Sequence, residues 1–369
     1  MKIAINCRHL TSEKMEGFGT YTYELVSRWI AHQTSSEFIL LYDRKPKHYL
    51  PQLPHVQHVV LPPATRHPVL YWFWFEIQVS RILKKHKVDL FFSPDGYNCL
   101  RSKIPSIISI HDLNFVHNPK DLPKILYLYL STYFPKFSQK ADTIITVSNY
   151  SKEDIVSTYN LDPQKISVVY NAASAVYKPL EESERQGIRN TYTQGKPFII
   201  FVGSLHPRKN VQRLINAYHR LKSPEADLII VGSPMWKKKG LKTEGPHQRK
   251  IHFTGYLPQS EVARLMGSAM ALAYIPYFEG FGIPLVEAIQ CETPILAAKT
   301  TSLPEIAGKA ALYCDPYDEA EIAACLERIM VDSSLRQQLI EAGKIQKKLY
   351  SWDRAADTIW SIFETTVGI

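Results

Sequence analysis

The sequence predicts an α/β protein made of two doubly wound domains, each with a parallel sheet between helices. Short apolar runs typical of buried strands alternate with segments of helical period along the whole chain. A polar, charged stretch at residues 171–196 interrupts that alternation, and a length of 369 residues is typical of about two domains. Strands that are apolar on both faces and separated by helices indicate parallel sheets.

We predict a first domain over residues 1–172. Its strands are expected where apolar residues form short runs bounded by polar or turn residues. These runs are Lys2–Asn6, Phe38–Tyr42, Val56–Leu61, Val88–Phe92, Ser106–Ile110, Thr143–Val147 and Ile166–Val169. Apolar residues that recur every three or four positions indicate helices. The clearest predicted helices are Thr20–His32, Val69–His86 and Tyr150–Tyr159.

A second domain is predicted over residues 173–351, with the polar stretch 171–196 as the linker between the two. The predicted strands are Phe198–Val202, Asp227–Val231, Ile251–Thr254, Ala269–Ala273, Pro294–Ala297 and Ala310–Tyr313. The predicted helices are Asn210–Leu221, Ser260–Gly267, Pro284–Gln290, Ala320–Val331 and Leu335–Tyr350. A last amphipathic helix is predicted at Trp352–Phe363, within the segment 352–369 that is expected to join the first domain.

The composition is that of a globular protein, with 45% hydrophobic and 21% charged residues. No apolar stretch has the length of a membrane span, and the N-terminal residues contain no apolar segment typical of a signal peptide. We therefore expect a cytoplasmic protein. The five cysteines are scattered and form no Cys-x-x-Cys pair, which favours free thiols in a reducing compartment.

The net charge of +9 raises the question of a nucleic-acid partner. Residues 1–172 carry 20 Lys and Arg against 14 Asp and Glu, and the rest of the chain carries 24 against 21. The excess thus lies mainly in the first half and forms no long basic run. This distribution favours an anionic lipid surface or an anionic substrate, and we expect no nucleic-acid partner.

The most specific motif is a pair of glutamates, Glu279 and Glu287, with seven residues between them. The loop between them holds Gly280 and Gly282 and continues into a helix with Pro284 in its first turn. Amides at such a helix start favour an anion, and carboxylates accept hydrogen bonds from sugar or ribose hydroxyls. For either glutamate alone a solvated or capping role is the simpler interpretation. The complete string favours a nucleotide-sugar pocket.

A second motif runs from the predicted strand Phe198–Val202 through Gly203 to Arg208 and Lys209. Adjacent cations at the carboxyl end of a strand suit a diphosphate, with arginine as a bidentate donor and lysine as a point charge. Two solvated basic residues on a loop fit the pattern equally well.

Two weaker motifs lie in the first half of the chain. Gly17 and Gly19, before the first long helix, suit a small anion cradle. A third glycine of the dinucleotide fingerprint is missing, so a turn that needs glycine for backbone reasons fits nearly as well. His111 and Asp112 end a predicted strand, where a histidine can bond a substrate hydroxyl or exchange a proton near neutral pH. A structural histidine is the commoner case.

The stretch from Arg66 to Lys87 combines aromatic and basic residues. The four aromatic rings at residues 72–75 cannot all face one core from a single helix, so we expect some of them to be exposed. Exposed aromatics beside lysines suit an anionic membrane surface. Burial by a second element explains the pattern equally well.

Taken in order along the chain, these motifs resemble those of the family 4 glycosyltransferases. Further matches are Val147–Ser151 and Ser302–Glu305, and the resemblance covers nearly the whole chain. It is strongest to bacterial enzymes that extend surface polysaccharides, many of them mannosyltransferases. The resemblance implies the GT-B fold, in which two Rossmann-like domains face each other across a cleft. It also implies that the first domain is the acceptor side and the second binds the nucleotide sugar.

The resemblance further implies a retaining transfer from a nucleotide-diphosphate sugar. Glu279 would bind donor-sugar hydroxyls, and Glu287 the ribose. Arg208 and Lys209 would hold the diphosphate and stabilise the charge that develops as it leaves. The other implied donor-binding residues are Gly19, Gly203, Phe281, Gly282 and Ile283, and His111 would contact the donor sugar near the reacting carbon.

No residue is an obvious nucleophile, and the mechanism that the resemblance implies is same-face attack in which the leaving phosphate takes the acceptor's proton. Electrostatic stabilisation of a departing diphosphate is the contribution that the residues themselves support. No cofactor and no metal ion is expected, because cations and helix amides supply positive charge and no Asp-x-Asp motif is present. The implied partners are a nucleotide-sugar donor, a glycan or lipid-linked saccharide acceptor and, from the charge, an anionic membrane surface.

The chain departs from the family pattern at two places. It reads Cys291-Glu292-Thr293 where relatives usually have Cys-Gly-Thr, and Asn171-Ala172-Ala173-Ser174 where they usually have Asn-Gly-Val-Asp. Glycine allows backbone conformations that other residues avoid, so both changes bear on local geometry. GDP-mannose is the donor that the resemblance favours. The alternatives are a UDP-sugar donor and, more remotely, a nucleotide-sugar epimerase.

Overall fold

The computed structural model describes residues 1–13, 15, 17–233 and 241–369, which form two compact units. The first unit comprises Met1–Asn171 and Trp352–Ile369, and the second comprises Ala172–Ser351. Each unit is built on one parallel sheet with helices, so the predicted α/β class is confirmed. No helix among the described residues is long and apolar enough to cross a bilayer.

The first unit contains a seven-stranded sheet in the order β3-β2-β1-β4-β5-β6-β7. Its strands are β1 (Lys2–Asn6), β2 (Glu37–Tyr42), β3 (Val56–Val60), β4 (Leu90–Ser93), β5 (Ser106–Ser109), β6 (Thr143–Thr146) and β7 (Ile166–Val168). Ile5 of β1 pairs with Leu40 on one side and Phe92 on the other. The chain therefore builds the sheet outward from β1 in one direction, returns to β4, and then continues in the other direction.

The helices of the first unit cover the two faces of this sheet. They are α1 (Gly17–His32), α2 (Pro68–Phe73), α3 (Ser80–Lys85), α4 (Asn114–His117), α5 (Lys124–Lys140) and α6 (Asn149–Tyr159), with α14 (Trp352–Val367) from the end of the chain. Strands β4 and β5 are buried at every position, as expected of central strands with helices on both faces.

Helix α14 packs on the first unit through aromatic rings. The ring of Phe363 lies 5.0 Å from Trp29 and 5.2 Å from Phe92, measured between centroids. The Trp29 indole N–H donates to the carbonyl of Ala356 over 2.9 Å, which satisfies a buried donor. The end of the chain is thus part of the first unit's core.

The second unit contains a six-stranded sheet in the order β10-β9-β8-β11-β12-β13. Its strands are β8 (Phe198–Val202), β9 (Asp227–Val231), β10 (Ile251–Gly255), β11 (Ala271–Tyr274), β12 (Ile295–Ala298) and β13 (Ala311–Cys314). Its helices are α7 (Glu182–Thr193), α8 (Val211–His219), α9 (Gln259–Ser268), α10 (Ile283–Gln290), α11 (Leu303–Ala307), α12 (Glu319–Val331) and α13 (Ser333–Gln346).

The prediction of a linker at residues 171–196 is wrong in its extent, because a helix of 12 residues lies within that stretch. Helix α7 occupies its second half and begins with a capping box between Glu181 and Glu184. Few apolar residues lie in α7, so the hydrophobic pattern concealed it. Helix α5, with Pro135 in its interior, was also not predicted.

The aromatic stretch is not one regular helix, and the expectation of exposed rings is wrong. Residues Trp74–Val79 between α2 and α3 form a π-helical segment, whose wider turn changes which side chains face inward. Trp74 and Phe75 are fully buried, and Trp72 and Phe73 are half-buried. The Trp74 indole donates to the Leu61 carbonyl over 2.8 Å. Trp74 and Phe75 are thus part of the first unit's core.

Candidate active site

The candidate site of the second unit lies where the direction of sheet building changes. Strand β8 neighbours both β9 and β11, so the loops that follow β8 and β11 leave the same sheet edge side by side. Doubly wound sheets bind ligands at this edge. The loop after β8 carries Arg208 and Lys209, and the loop after β11 carries Glu279.

These three side chains form one hydrogen-bonded cluster. Arg208 Nη1 donates to Glu279 Oε1 over 2.6 Å and to the Phe278 carbonyl over 3.1 Å. Lys209 Nζ also donates to Glu279 Oε1, and to Tyr274 Oη over 2.6 Å. Tyr274 Oη donates to Glu279 Oε1 over 2.9 Å. One carboxylate oxygen therefore accepts hydrogen bonds from two cations and a phenol.

The cluster is buried and carries an excess of positive charge. Glu279 is 6% exposed and Lys209 is 8% exposed. Burial by itself raises the pKa of Glu279, but the charges of Arg208 and Lys209 outweigh it and hold that pKa below its usual value. Burial and the neighbouring Glu279 raise the pKa of Tyr274 well above its usual value, so its hydroxyl stays a donor. Two cations against one carboxylate favour an anionic ligand.

Helix α10 follows Glu279, and its N-cap residue is a glycine in a left-handed conformation. Gly282 has a φ of +89°, and a Cβ on it would lie 2.5 Å from Leu303 Cδ2. The Leu285 amide donates to the Gly282 carbonyl over 2.9 Å, and Pro284 occupies the first turn. The first amides of a helix have no intrahelical acceptor and lie at the positive end of its dipole. This helix start, which includes Phe281 and Ile283, thus favours an anion.

Gly203 lies at the end of β8 against a second glycine. Its amide donates to the Val231 carbonyl over 3.0 Å, and its φ is +151°. A Cβ built on Gly232 would lie 1.9 Å from the Gly203 carbonyl oxygen, so the two backbones touch. The close approach of two loops explains why glycine is needed here.

Glu287 lies on α10 and is 8% exposed. Burial raises its pKa to about 7, and a hydrogen bond from Tyr177 partly offsets that rise. Glu279 and Glu287 therefore differ in charge state although they belong to one motif. Cations hold the first as a carboxylate, whereas the second is close to half-protonated at neutral pH.

His111 in the first unit follows β5 and is fixed by its neighbours. Its Nε2 lies 3.0 Å from the Pro94 carbonyl, which can only accept, so Nε2 carries the proton and Nδ1 is an acceptor. Its ring meets Phe18 and Tyr21 edge-on at centroid distances of 4.9 Å and 4.6 Å. Burial lowers the pKa of His111, so the neutral ring is the favoured form. The Asp112 carboxylate accepts a hydrogen bond from the Asn114 amide over 2.9 Å, at the start of α4.

Gly19 lies inside the first turn of α1, not in a turn before the helix. A Cβ on it would lie 3.3 Å from Met15 Sδ and 3.4 Å from the His9 carbonyl. Glycine therefore allows the preceding loop to pack closely on the helix. Gly19 and His111 belong to the first unit, and the other predicted site residues belong to the second.

One functional candidate was missed from the sequence, Tyr274. Tyr274 ends a fully buried strand five residues before Glu279, and a buried tyrosine hydroxyl needs a partner. The position of Tyr274 could therefore have marked it as a candidate site residue in the sequence.

Glu292, where relatives usually have glycine, keeps the glycine-like backbone. Its φ is +56°, a conformation that costs free energy for a residue with a side chain. Its carboxylate lies 3.7 Å from Lys344 Nζ. Within the described ranges, no group of three or more His, Cys, Asp and Glu side chains is arranged to hold a metal ion.

Two family profiles match the chain, one in each unit. The profile described as glycosyltransferase family 4 matches residues 15–175, and the profile described as glycosyl transferases group 1 matches residues 183–346. Together they span most of the chain.

Curated relatives include O-antigen chain mannosyltransferase B of Escherichia coli. It is 27% identical over 362 residues, covering 92% of this chain and 93% of the relative. The O-antigen chain mannosyltransferase RfbU of Salmonella typhimurium is 27% identical over 226 residues, covering 60% of each chain.

Solved structures with the same fold include sucrose-phosphate synthase from Thermosynechococcus elongatus. It has a TM-score of 0.77 at 15% identity, covering 99% of this chain and 98% of that chain. Anabaena HepE in complex with UDP and glucose has a TM-score of 0.76 at 17% identity, covering 99% and 100%. These likenesses confirm the GT-B fold.

The family profiles, the full-length relative and the fold agree with one another and with the motif resemblance. An epimerase, the remoter alternative, finds no support among them. The chain belongs to the family 4 glycosyltransferases.

Proposed function

We propose that this protein transfers mannose from GDP-mannose to a glycan or lipid-linked glycan acceptor, with retention of the anomeric configuration. The observation that carries the proposal is the cluster of Arg208, Lys209 and Glu279 at the edge of the second sheet. Its excess positive charge suits a diphosphate, and its carboxylate suits sugar hydroxyls.

In this proposal Arg208 and Lys209 bind the diphosphate, with Gly203 at the strand end and the amides of residues 281–283 beside it. Glu279 binds donor-sugar hydroxyls, and the donor's arrival redistributes the hydrogen bonds that the two cations make to it. Glu287 binds the ribose. Gly19 and His111 keep the roles that the family resemblance implies, a phosphate contact and a contact with the donor sugar.

The proposed reaction breaks the bond between the anomeric carbon and the donor's phosphate oxygen. The acceptor hydroxyl attacks that carbon from the same face through an oxocarbenium-like state, and its proton passes to the leaving phosphate. The products are the glycosylated acceptor and the nucleoside diphosphate. Arg208 and Lys209 stabilise the charge that grows on the phosphate, the kind of contribution that usually dominates such catalysis. The positive charge comes from these side chains and helix amides, without a metal ion.

The mannose assignment is supported by the names of the relatives, two of which are O-antigen chain mannosyltransferases. A UDP-sugar is the alternative, because Anabaena HepE was crystallised with UDP and glucose. Calorimetric titration of GDP, UDP, GDP-mannose and a panel of UDP-sugars into the purified protein separates the two. We expect selective binding of GDP and GDP-mannose. Selective binding of UDP and one UDP-sugar would mean that the donor is that UDP-sugar and not GDP-mannose.

Retention is tested on the product itself. Proton NMR of the purified product should show the α-configuration of the donor in the new linkage. A β-linked product would contradict the proposed mechanism while leaving the donor assignment intact.

The proposal includes contact of the first unit with an anionic membrane surface, through exposed aliphatic residues of α2 and α5 and not through the aromatic rings of residues 72–75. Val69, Ile125 and Leu128 are 65%, 62% and 67% exposed, and the helices that carry them, α2 and α5, pack together. Lys120 and Lys124 are exposed beside them. Apolar side chains flanked by lysines suit the surface of an anionic bilayer.

A further inference from the structure

An aromatic ring is left exposed at the start of α1 in the first unit. Phe18 is 41% exposed, although phenylalanine is usually buried. Its ring contacts two histidine rings of the same unit. The ring centroid of His9 lies 5.1 Å away at an interplanar angle of 31°, and that of His111 lies 4.9 Å away, edge-on. These contacts hold the Phe18 ring in place and leave part of it open to a ligand.

Three neighbouring strands bring the surroundings of this ring together. His9 follows β1, Asp95 follows β4 and His111 follows β5, and these strands are adjacent in the parallel sheet. Their carboxyl ends therefore meet at one sheet edge, which is where doubly wound sheets bind ligands. Phe18 contacts both histidines, so its ring belongs to the same edge.

The orientation of the His9 ring is fixed by a buried carboxylate. His9 Nε2 lies 2.8 Å from Asp95 Oδ2, and Asp95 is also paired with Arg8 over 2.7 Å. A carboxylate only accepts, so Nε2 carries a proton, and Nδ1 of the neutral ring is an acceptor. Among the residues that the structure describes, none forms a hydrogen bond with His9 Nδ1, and the side chain is 31% exposed. This nitrogen is available to a ligand hydroxyl.

An exposed aromatic ring beside a directed acceptor suits the ring of a sugar. The C–H groups of a pyranose pack on the negative face of an aromatic ring, and its hydroxyls need polar partners. Phe18 offers the aromatic ring, and His9 offers the acceptor. A lipid chain would use the ring but cover the imidazole nitrogen without bonding it, which is costly.

The surface lies next to the residue that contacts the donor sugar in the proposed function. The donor sugar and the acceptor hydroxyl must be in contact for the glycosidic bond to form. Phe18 packs against His111, so a saccharide on Phe18 lies beside the donor sugar that His111 contacts. The acceptor is therefore the substrate that this surface fits.

We propose that Phe18 and His9 form an acceptor subsite, in which the terminal saccharide of the acceptor stacks on the Phe18 ring and donates a hydrogen bond from a hydroxyl to His9 Nδ1. This inference rests on the proposed function, in which the acceptor is a glycan or lipid-linked glycan. Asp95 is a positioning residue, because it fixes the His9 ring and does not touch the saccharide. The subsite makes Phe18 and His9 determinants of which acceptor is used.

The test measures saccharide binding to the purified full chain. The probes are the methyl glycosides of mannose, glucose, galactose and N-acetylglucosamine, titrated by ligand-observed NMR, and we expect the wild-type chain to bind at least one of them. Phe18→Leu keeps an apolar side chain without the ring and should weaken that binding about tenfold, whereas Phe18→Tyr should retain it. His9→Phe keeps a ring beside Phe18 without Nδ1 and should weaken binding by about threefold to tenfold.

Phe253 on β10 provides a matched control, since it is a phenylalanine with 44% exposure in the second unit. Phe253→Leu should leave saccharide binding unchanged. Calorimetry of GDP, which carries no donor sugar, should give the same dissociation constant for Phe18→Leu and the wild-type chain. Weaker binding of both GDP and saccharide in Phe18→Leu would indicate a structural role for the ring, and weaker binding of GDP alone would indicate a nucleotide contact. Either result overturns the inference.

The failure of the proposed function gives a different result. A wild-type chain that binds neither GDP nor UDP contradicts the proposed donor site, while saccharide binding that depends on Phe18 still supports the subsite. A wild-type chain that binds GDP but none of the four saccharides overturns the subsite alone. Saccharide binding that is lost in Glu279→Gln and kept in Phe18→Leu means that the probe occupies the donor-sugar position, which also overturns the inference.

Discussion

The two units place a cation–carboxylate cluster at the same position of their sheets, yet the clusters differ in charge balance. In the first unit the order of strands changes between β1 and β4, and Arg8 after β1 meets Asp95 after β4. In the second it changes between β8 and β11, where Arg208 and Lys209 meet Glu279. The same topology thus brings opposite charges together twice.

The cluster of the first unit is enclosed. Arg8 Nε donates to Asp95 Oδ2 over 2.7 Å, and the guanidinium lies 4.2 Å from the ring centroid of Tyr97 and 5.0 Å from that of Tyr71. The rings add a cation–π attraction. Burial by itself raises the pKa of Asp95, but Arg8 and then His9 outweigh it and hold that pKa far below its usual value. Asp95 Oδ2 also lies 2.8 Å from His9 Nε2, so one carboxylate meets one permanent cation and one histidine, and aromatic rings cover the guanidinium.

The position in the fold makes an ionic cluster possible, while the charge balance decides its use. The Arg8–Asp95 pair is covered by aromatic rings and has a structural role in the first unit. The second cluster has one cation more and lies beside a glycine-bounded helix start. We therefore expect substitutions in the first cluster to change stability, and substitutions in the second to change activity.

The largest expected effect is the loss of stability in Asp95→Ala. It leaves Arg8, which is 8% exposed, buried without its carboxylate, at an expected cost of about 3–5 kcal/mol. Urea denaturation followed by tryptophan fluorescence measures the loss. The exposed pair of Lys2 and Glu37 provides the control, since Glu37→Ala should cost under about 1 kcal/mol.

A double variant sharpens this prediction. Arg8→Met with Asp95→Leu removes both charges and should regain much of the lost stability. If Asp95→Ala unfolds no more easily than Glu37→Ala, the Arg8–Asp95 pair does not stabilise the first unit.

The next effect is the loss of transfer in Lys209→Met. Arg208 still neutralises Glu279 in this variant, so the fold should keep nearly its full stability, while the excess positive charge is gone. We expect the rate of mannose transfer to fall about a hundredfold to a thousandfold. Lys222→Met, at an exposed site of the same unit, is the control. Near-normal transfer in Lys209→Met with a folded protein would remove this lysine from the proposed site.

A smaller effect concerns pH and separates the two glutamates of one motif. Burial raises the pKa of Glu287 to about 7 from a usual value of 4.5, so the folded chain holds this proton more tightly than the unfolded chain. The free energy of unfolding should therefore fall as the pH rises from about 4.5 to about 7, by about 3 kcal/mol in all.

Glu287→Gln keeps the shape and removes this titration. Denaturation series between pH 5 and pH 8 should show a flatter pH dependence in Glu287→Gln than in the wild-type chain. Glu321→Gln, at an exposed position of α12, should keep the wild-type slope. Identical slopes in Glu287→Gln and the wild-type chain would mean that Glu287 is not a buried, proton-holding group.

The smallest effect is on membrane binding by the first unit. Cosedimentation with anionic vesicles at low salt should show partial binding that weakens as salt screens the charges. Ile125→Ser with Leu128→Ser should reduce it several-fold, whereas Val331→Ser, 60% exposed in the second unit, should not. Equal binding of all three proteins would contradict the proposed membrane face.

Prediction from the sequence worked best where local pattern decides the structure. Strands such as β1, β8 and β9 were predicted at their observed bounds, because both their faces are apolar and turn residues flank them. It failed where few apolar residues mark a helix, as in α7, and where a π-helical segment redirects side chains, as at Trp74. Periodicity assumes a regular helix, so neither case follows from it.

The residue types at the ends of the strands, and so the candidates for the site, can be recognised from the sequence. The partners of these residues depend on how the chain folds. Arg208 and Glu279 are 71 positions apart, and they meet because β11 returns beside β8. Charge state and hydrogen bonding depend on burial and on groups distant in the chain, and both are set only when the sheet and its helices assemble.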